Sequence, residues 1–534
     1  SDDAPADDAP ADDAPSEDEG GEAESPPAGN RVVIALTQQP VESTRYWTSP
    51  GVSTIVTPML QPLVGIDPVT GAFDTSALAE SWTHNDDLTE WTFKLREGIQ
   101  FHKGYGELTA EDVIHSYELH TADDSTLTDV NQLRGAEVTA LDRYTVRFQY
   151  DRSQFIFPSY VSYKGALFIY SKAQFDAEGL DGYDTNPAGT GAYEFVEASP
   201  GRMLFQRVEN HWSGHTADFE EMEFRFVPET STRFAMLEAG EADLAILNAE
   251  LNQDAEQRGF SLLQSSIAGE QSVIHFNGLY GTTGDPAWRP DLPWADVRIR
   301  EALNRAINRE ELMGVLFNEN AELNPVVIMH PTREGYHPEL EERFEAEYGY
   351  DPERSRQLMQ EANYPDAFED PTIRIALFVG PALPQDITLQ MELIQSYWNA
   401  VGFEVEIVEM DIAAAAELGR AREAYYLNPA RNIGLRPTDV MVGAWYTVAG
   451  GPLAGYESDR IEELIAEYRQ ELVPEQREAS AREVFEYAFE QYIELPMFEI
   501  FTQVAANPDT VGGWTYSGSA GSVVSHWELI EAAQ

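Results

Sequence analysis

The chain has 534 residues, with 93 acidic against 34 basic side chains and a formal charge of −59. That length exceeds what one hydrophobic core sustains, about 250 to 300 residues, so more than one domain is required. The charge excludes nucleic acid and anionic lipid surfaces as partners, the absence of cysteine excludes disulfides and thiolate metal sites, and no apolar run reaches the about 20 residues of a membrane-spanning helix.

Residues 1–29 repeat Asp-Asp-Ala-Pro and hold 11 acids, no base and almost no apolar bulk. Such a stretch cannot bury enough surface to offset its ordering entropy, so it reads as a disordered, self-repelling tether. The other 505 residues still carry −48, with lysine only at Lys94, Lys103, Lys164 and Lys172. The folded part is therefore acidic in its own right, a solvated surface suited to high salt.

The apolar run 31–36 predicts a strand buried on both faces, followed by a loop, 38–51, that carries Tyr46 and Trp47. In 91–118 a strand leads through Gly104-Tyr105-Gly106 to a helix that starts at Thr109, with Glu111 and Asp112 at its positive end. Tyr144, Val146, Phe148 and Tyr150 alternate with Thr145, Arg147 and Gln149, the period of a half-buried strand that pairs with 136–141 as a hairpin. At Gly189-Thr190-Gly191 no further glycine completes a phosphate loop, so the segment is a tight turn. Strands are predicted at 222–227, 243–247 and 273–277, with a helix at 231–240 ended by glycine. Between 372 and 409 the pattern is strand, helix, strand; the helix sets Leu389, Leu393, Ile394, Trp398 and Val401 on one face, and Gly402 ends it, which predicts a parallel crossover. The run DVMVGAWY, 439–446, reads as a strand delivering Trp445 and Tyr446 to its end, ahead of helices at 460–472 and 475–492.

Several of these stretches resemble one family. LAESW at 78–82, NDD at 85–87 and WTFKLREGIQFHKGYGELTAEDV at 91–113 resemble a segment of the solute-binding proteins of the peptide, opine and nickel class of ABC importers. So do GTGAYEFVEASPGRMLFQRVENHW, VPETSTRFAMLEAGEADLAIL, ADVRIREALNRAINREELMGVLF, YGYDPERSRQLMQEANYP, ELPMFEIF and the closing VGGW. The resemblance runs over most of 31–534 and is thin at 318–348 and 411–438. It implies an α/β, periplasmic-binding-protein-like, two-lobed fold with an extra small domain. Its first domain would be discontinuous (30–51, 186–270 and 491–534), with a second at 52–185 and a third at 271–490. It also implies a lipid-bearing cysteine ahead of Ser1, an extracytoplasmic monomer, and a membrane permease as partner.

No HExxH, GxSxG or Walker sequence occurs, so no cofactor, metal or catalytic group is assigned; a secreted hydrolase of peptides or glycosides is the alternative. A cleft that captures a short peptide or oligosaccharide needs rigid aromatics and a few directed polar groups. The residues expected there are Tyr46 and Trp47 from one lobe and Asn277, Trp445, Tyr446 and Thr447 from the other. Arg431 and Arg436 are expected to meet a carboxylate. Peptide-binding members of the family carry an aspartate for the ligand ammonium shortly after a Trp-ending strand. From Trp445 to Tyr456 this chain has no acid, which disfavours a free ammonium there and favours a ring-bearing neutral ligand stacked on the aromatics. The −48 on the folded part repels itself at low ionic strength. Melting temperature, followed by circular dichroism, should rise from low to molar salt; a flat profile would show the charges to be already locally paired.

Overall fold

The computed structural model describes residues 30–37, 43–49, 53–127, 130–163, 165, 167–317, 320–326, 329–378, 386–433, 437–447, 455–518 and 526–534. The tether, 1–29, lies outside them, as does Arg436. In chain order the strands that position the site begin with β1 (Arg31–Leu36). A four-stranded antiparallel sheet follows: β2 (Ala79–His84), β3 (Glu90–Leu95), β4 (Glu137–Asp142) and β5 (Thr145–Gln149), in the order β2-β3-β5-β4. Helix α1 (Ala110–Thr121) packs against it and starts where expected, the Thr109 backbone N–H donating to the Asp112 carboxylate at 2.9 Å.

The chain then builds β6 (Tyr193–Ser199), β7 (Arg202–Arg207), β8 (Glu221–Phe226), α2 (Thr230–Ala239), β9 (Leu244–Ala245) and the long β10 (Ser261–Phe276). Next come α3 (Val297–Arg305), α4 (Arg309–Phe317), β11 (Ile373–Phe378), α5 (Asp386–Val401), β12 (Val405–Met410) and β13 (Leu427–Ile433). Helices α6 (Thr438–Tyr446), α7 (Asp459–Gln470) and α8 (Pro474–Glu490) precede β14 (Glu494–Ala506).

One sheet of eleven strands runs through all of this, in the order β12-β11-β13-β10-β14-β9-β1-β8-β7-β6, with Ala321–Leu323 paired to β14 off that path. β10 and β14 pair antiparallel from Ser261↔Ala506 to His275↔Glu494, so both strands run between the two halves of this sheet. At one end of this ribbon β9, β1 and β8 form a parallel set over a core of Ile34, Tyr193, Phe224 and Trp527. At the other end β13, β11 and β12 form a second parallel set. Alternation along β10 separates two cores there. Ile274 and Phe276 join Leu303, Trp398 and Leu495, while His275, between them, faces Trp445 of a cluster built by α6, α7 and α8. Leu389, expected on the buried face of α5, is 43% exposed; Met391, Ile394 and Trp398 make that face.

The stretch 439–446 is a helix, not a strand. Thr438, Met441, Val442, Trp445 and Tyr446 are its buried residues, spaced i, i+3, i+4, i+7, i+8. A short apolar run fits a buried strand and a buried helix equally well, and here the 3.6-residue period won.

Three buried arginines tie helices to strand ends without a carboxylate. Arg309 donates to the carbonyls of Pro496, Asn304 and Tyr348 and to the Asn304 side chain, at 2.6 to 3.2 Å. Arg300 reaches the carbonyls of Gln491, Trp294 and Ala295, and Arg233 those of Ile246, Val227 and Pro228. Burial pushes the Arg309 guanidinium down to about 10. A planar fork of five donors spans several acceptors at once; a lysine ammonium on the same stem does not. Arg309→Lys should therefore cost about 2 to 3 kcal/mol in denaturant unfolding, against less than about 0.5 kcal/mol for Arg356→Lys on the exposed surface.

Candidate functional site

Strand direction locates the cleft. β14 is antiparallel to both β9 and β10, so β10 runs parallel with β9 and β1. β13 runs against β10 and carries β11 and β12 with it. The carboxyl ends of the two parallel sets thus point at each other across the middle of β10. In open α/β sheets the crevice at those ends is where ligands bind.

The floor of this crevice is the irregular part of the ribbon, with register shifts between Gln264 and Ala268 and between Ala268 and Glu270. There the Ser265 hydroxyl leaves the ladder, donating to the Ile267 carbonyl (2.8 Å) and accepting from the Thr502 N–H (3.0 Å). The Tyr516 hydroxyl bridges the two strands, 3.1 Å from the Leu263 carbonyl and 2.8 Å from that of Thr502.

On the β13 side, cross-strand partners Gln271 and Glu499 hydrogen-bond at 2.9 Å. Asn324 donates to the same Glu499 oxygen (3.1 Å), Arg333 donates to Gln271 (2.9 Å), and His330 Nε2 lies 3.9 Å from the carboxylate. Desolvation raises the Glu499 carboxyl to about 7; the Gln271 hydrogen bond and Arg333 oppose it. Arg431, on β13 opposite Ser272, has its guanidinium 5.3 Å from the Phe317 ring and 4.0 Å from Glu270. The Ser272 hydroxyl meets Gln390 of α5.

Of the residues expected in the cleft, Arg431 lies at its edge. Tyr46 and Trp47 are buried instead in the first lobe: the Trp47 ring meets Tyr170 edge-on at 5.1 Å and Tyr46 meets Phe168 likewise at 5.2 Å. Their loop is pinned to the small domain, since the Tyr46 N–H donates to the Tyr170 hydroxyl and the Thr126 N–H to the Trp47 carbonyl. Trp445 stacks on His275 with centroids 3.6 Å apart. Tyr446 is 1% exposed, Asn277 is buried beside Trp294, and the Thr447 hydroxyl caps the Gly443 carbonyl. Trp445 and Tyr446 do gather around His275 and Glu494, in a packed interior. The segment after Trp445 follows a helix; the strand that enters the sheet here is β13, which contains Arg431 and no acid.

Gln271, Glu499 and Gln390 were not expected from the sequence. Their signal was a polar residue in an otherwise apolar stretch, as in LPMFEIF, and such a residue is as often on an exposed face. His211 is buried against the Thr190 carbonyl. A separate hollow of about 560 Å³, lined by Glu80, Arg96, Glu97 and Trp212, contains none of the crossing residues.

Two α/β lobes whose strand ends face each other across a shared ribbon are the periplasmic-binding-protein architecture. The pattern of the bacterial extracellular solute-binding proteins, family 5 (middle region), matches residues 75–458, and the chain belongs to that family. It is 26% identical over 372 residues to heme-binding protein A of Haemophilus influenzae, covering 63% of this chain and 62% of that one. It is 24% identical over 357 residues to the dipeptide-binding protein of Escherichia coli, covering 62% of each. The match thus spans 62% of the length of these curated relatives. The structure of HbpA2 from Haemophilus parasuis superimposes with a TM-score of 0.75 at 21% identity, over 93% of this chain and 99% of that one, a likeness of fold.

A raised folded-state value means that folding favours the protonated Glu499. Its stabilisation is complete below the unfolded value near 4.5 and is lost as pH rises through about 7. Glu499→Gln should remove this dependence, so its stability relative to the parent should rise by about 2 to 3 kcal/mol between pH 5 and pH 8. Urea unfolding at the two pH values measures it.

Proposed function

We propose that this chain is the substrate-binding subunit of an ABC importer, without catalytic activity or cofactor, working outside the cytoplasm as a monomer. It closes its lobes over a small carboxylate-bearing solute, a short peptide or a peptide-like compound, and presents the closed form to a membrane permease. The difference in ligand affinity between open and closed forms drives closure.

The observation that carries the ligand class is Arg431, on β13 at the cleft end of the second lobe, a strand that itself has no acid, with Glu270 of β10 4.0 Å from the guanidinium. A guanidinium there matches a carboxylate by paired hydrogen bonds and repels an ammonium. The family relatives agree in chemistry, since dipeptides and heme both bear carboxylates. The oligosaccharide reading rested on exposed rings at Trp47, Trp445 and Tyr446, and these are packed in cores.

Calorimetry at molar salt, with di- to pentapeptides, their carboxyl-terminal amides, and cello- and xylo-oligosaccharides, tests the proposal. Free peptides should bind, amidation should weaken them about 10- to 100-fold, and Arg431→Gln should do the same. Binding unaffected by amidation, or tight binding of an oligosaccharide, would overturn the carboxylate reading, and turnover of a bound peptide would overturn the non-catalytic one.

A further inference from the structure

The two lobes meet at a second place besides the ribbon. Phe155 follows β5 in the small domain, and its half-buried ring packs on that domain's core and on the core of α6, α7 and α8 alike. The ring meets Tyr468 of α7 edge-on, with centroids 5.7 Å apart and an interplanar angle of 84°. The guanidinium of Arg477, on α8, lies 4.7 Å from the centroid of the same ring. Leu472, in the turn between α7 and α8, packs against the small-domain core beside it.

The receiving side is built to hold its shape. Arg477 Nε donates to Glu334 at 2.8 Å, and the Tyr468 hydroxyl donates to the other oxygen of Glu334 at 2.9 Å. The Thr438 hydroxyl, at the start of α6, donates to the Glu334 carbonyl. One carboxylate thus orients both groups that flank Phe155. Both are buried, Tyr468 fully and Arg477 at 8% exposure, so the cation sits over the ring in a poorly solvated place where such an attraction is strongest.

We propose that Phe155 is a clasp that fastens the small domain to the α7–α8 corner when the lobes come together, and so sets how much of the protein is closed before any ligand enters. An edge-on aromatic pair and a desolvated cation over the same ring together favour the clasped form by a factor of about 10 to 100. Apparent ligand affinity scales with the population of the binding-competent form, so the clasp acts on affinity without touching ligand. Its test contains no ligand, and it stands or falls separately from the carboxylate reading.

The experiment is small-angle X-ray scattering on the full chain at molar salt, for the parent, Phe155→Ala and Phe155→Leu. Leucine keeps an apolar plug in the small-domain core but presents no ring to Tyr468 and Arg477. Both variants should scatter with a larger radius of gyration than the parent, and the leucine variant should melt close to the parent temperature. An unchanged radius in the leucine variant would overturn the clasp.

Discussion

The antiparallel pairing of β10 with β14 is the constraint on which the rest depends. Each lobe completes its sheet against this ribbon, β9 on one side of β14 and β13 on the far side of β10, so neither lobe has a sheet of its own that ends before the other begins. Two hydrogen-bonded strands resist sliding and twisting better than one linker, and bend most easily where the ladder is interrupted. The interruption falls between Gln264 and Glu270, midway between the two sets of strand ends. The bulged backbone there is held by Ser265 and Tyr516 rather than by the ladder, which ties the place of bending to the floor of the cleft.

Around that ribbon the polar chemistry divides in two. Arg233, Arg300 and Arg309 are sealed inside and neutral in their dealings, bonding carbonyl oxygens that strand and helix ends leave over. Gln271, Glu499, Asn324 and Arg333 form a linked group on the ribbon itself, beside the crevice, in which a carboxyl group is held at the edge of its charged state. The first set fixes the lobes as bodies. The second lies on the ribbon that both lobes share, beside the crevice at their strand ends.

The elements with local signals were legible in the sequence. Thr109 with Asp112 announced α1, the alternation from Tyr144 to Tyr150 announced β5, and Gly240, in the left-handed region at φ 71°, ended α2 as expected. The family-like stretches REALNRAINREEL and STRFAMLEAG contain Arg300, Arg309 and Arg233, whose forked donors a lysine does not match. Less could be read where the deciding contact is distant. Trp445 and Tyr446 read as the end of a strand, and only the residues of α7 and α8, farther along the chain, show that they close a helix onto a core. Tyr46 and Trp47 read as ring donors to a ligand; Tyr170 and Phe168, more than a hundred residues on, show what they pack against. Gln271 and Glu499 find each other across more than two hundred residues of chain, and nothing in either neighbourhood names the other.

The position of β14 also governs the order in which the molecule can be made. It lies between β9 and β10 in the sheet yet comes from residues 494–506, more than two hundred residues after β10 ends at Phe276. Until it arrives, β9 and β10 each expose an open edge that wants a partner strand, and the first lobe lacks both its closing strand and Trp527 from its core. Pairings of such long sequence separation form late and slowly. A growing chain therefore waits, while the residues between β10 and β14 are added, with two unsatisfied strand edges and a strongly negative charge that keeps neighbouring chains apart during the wait.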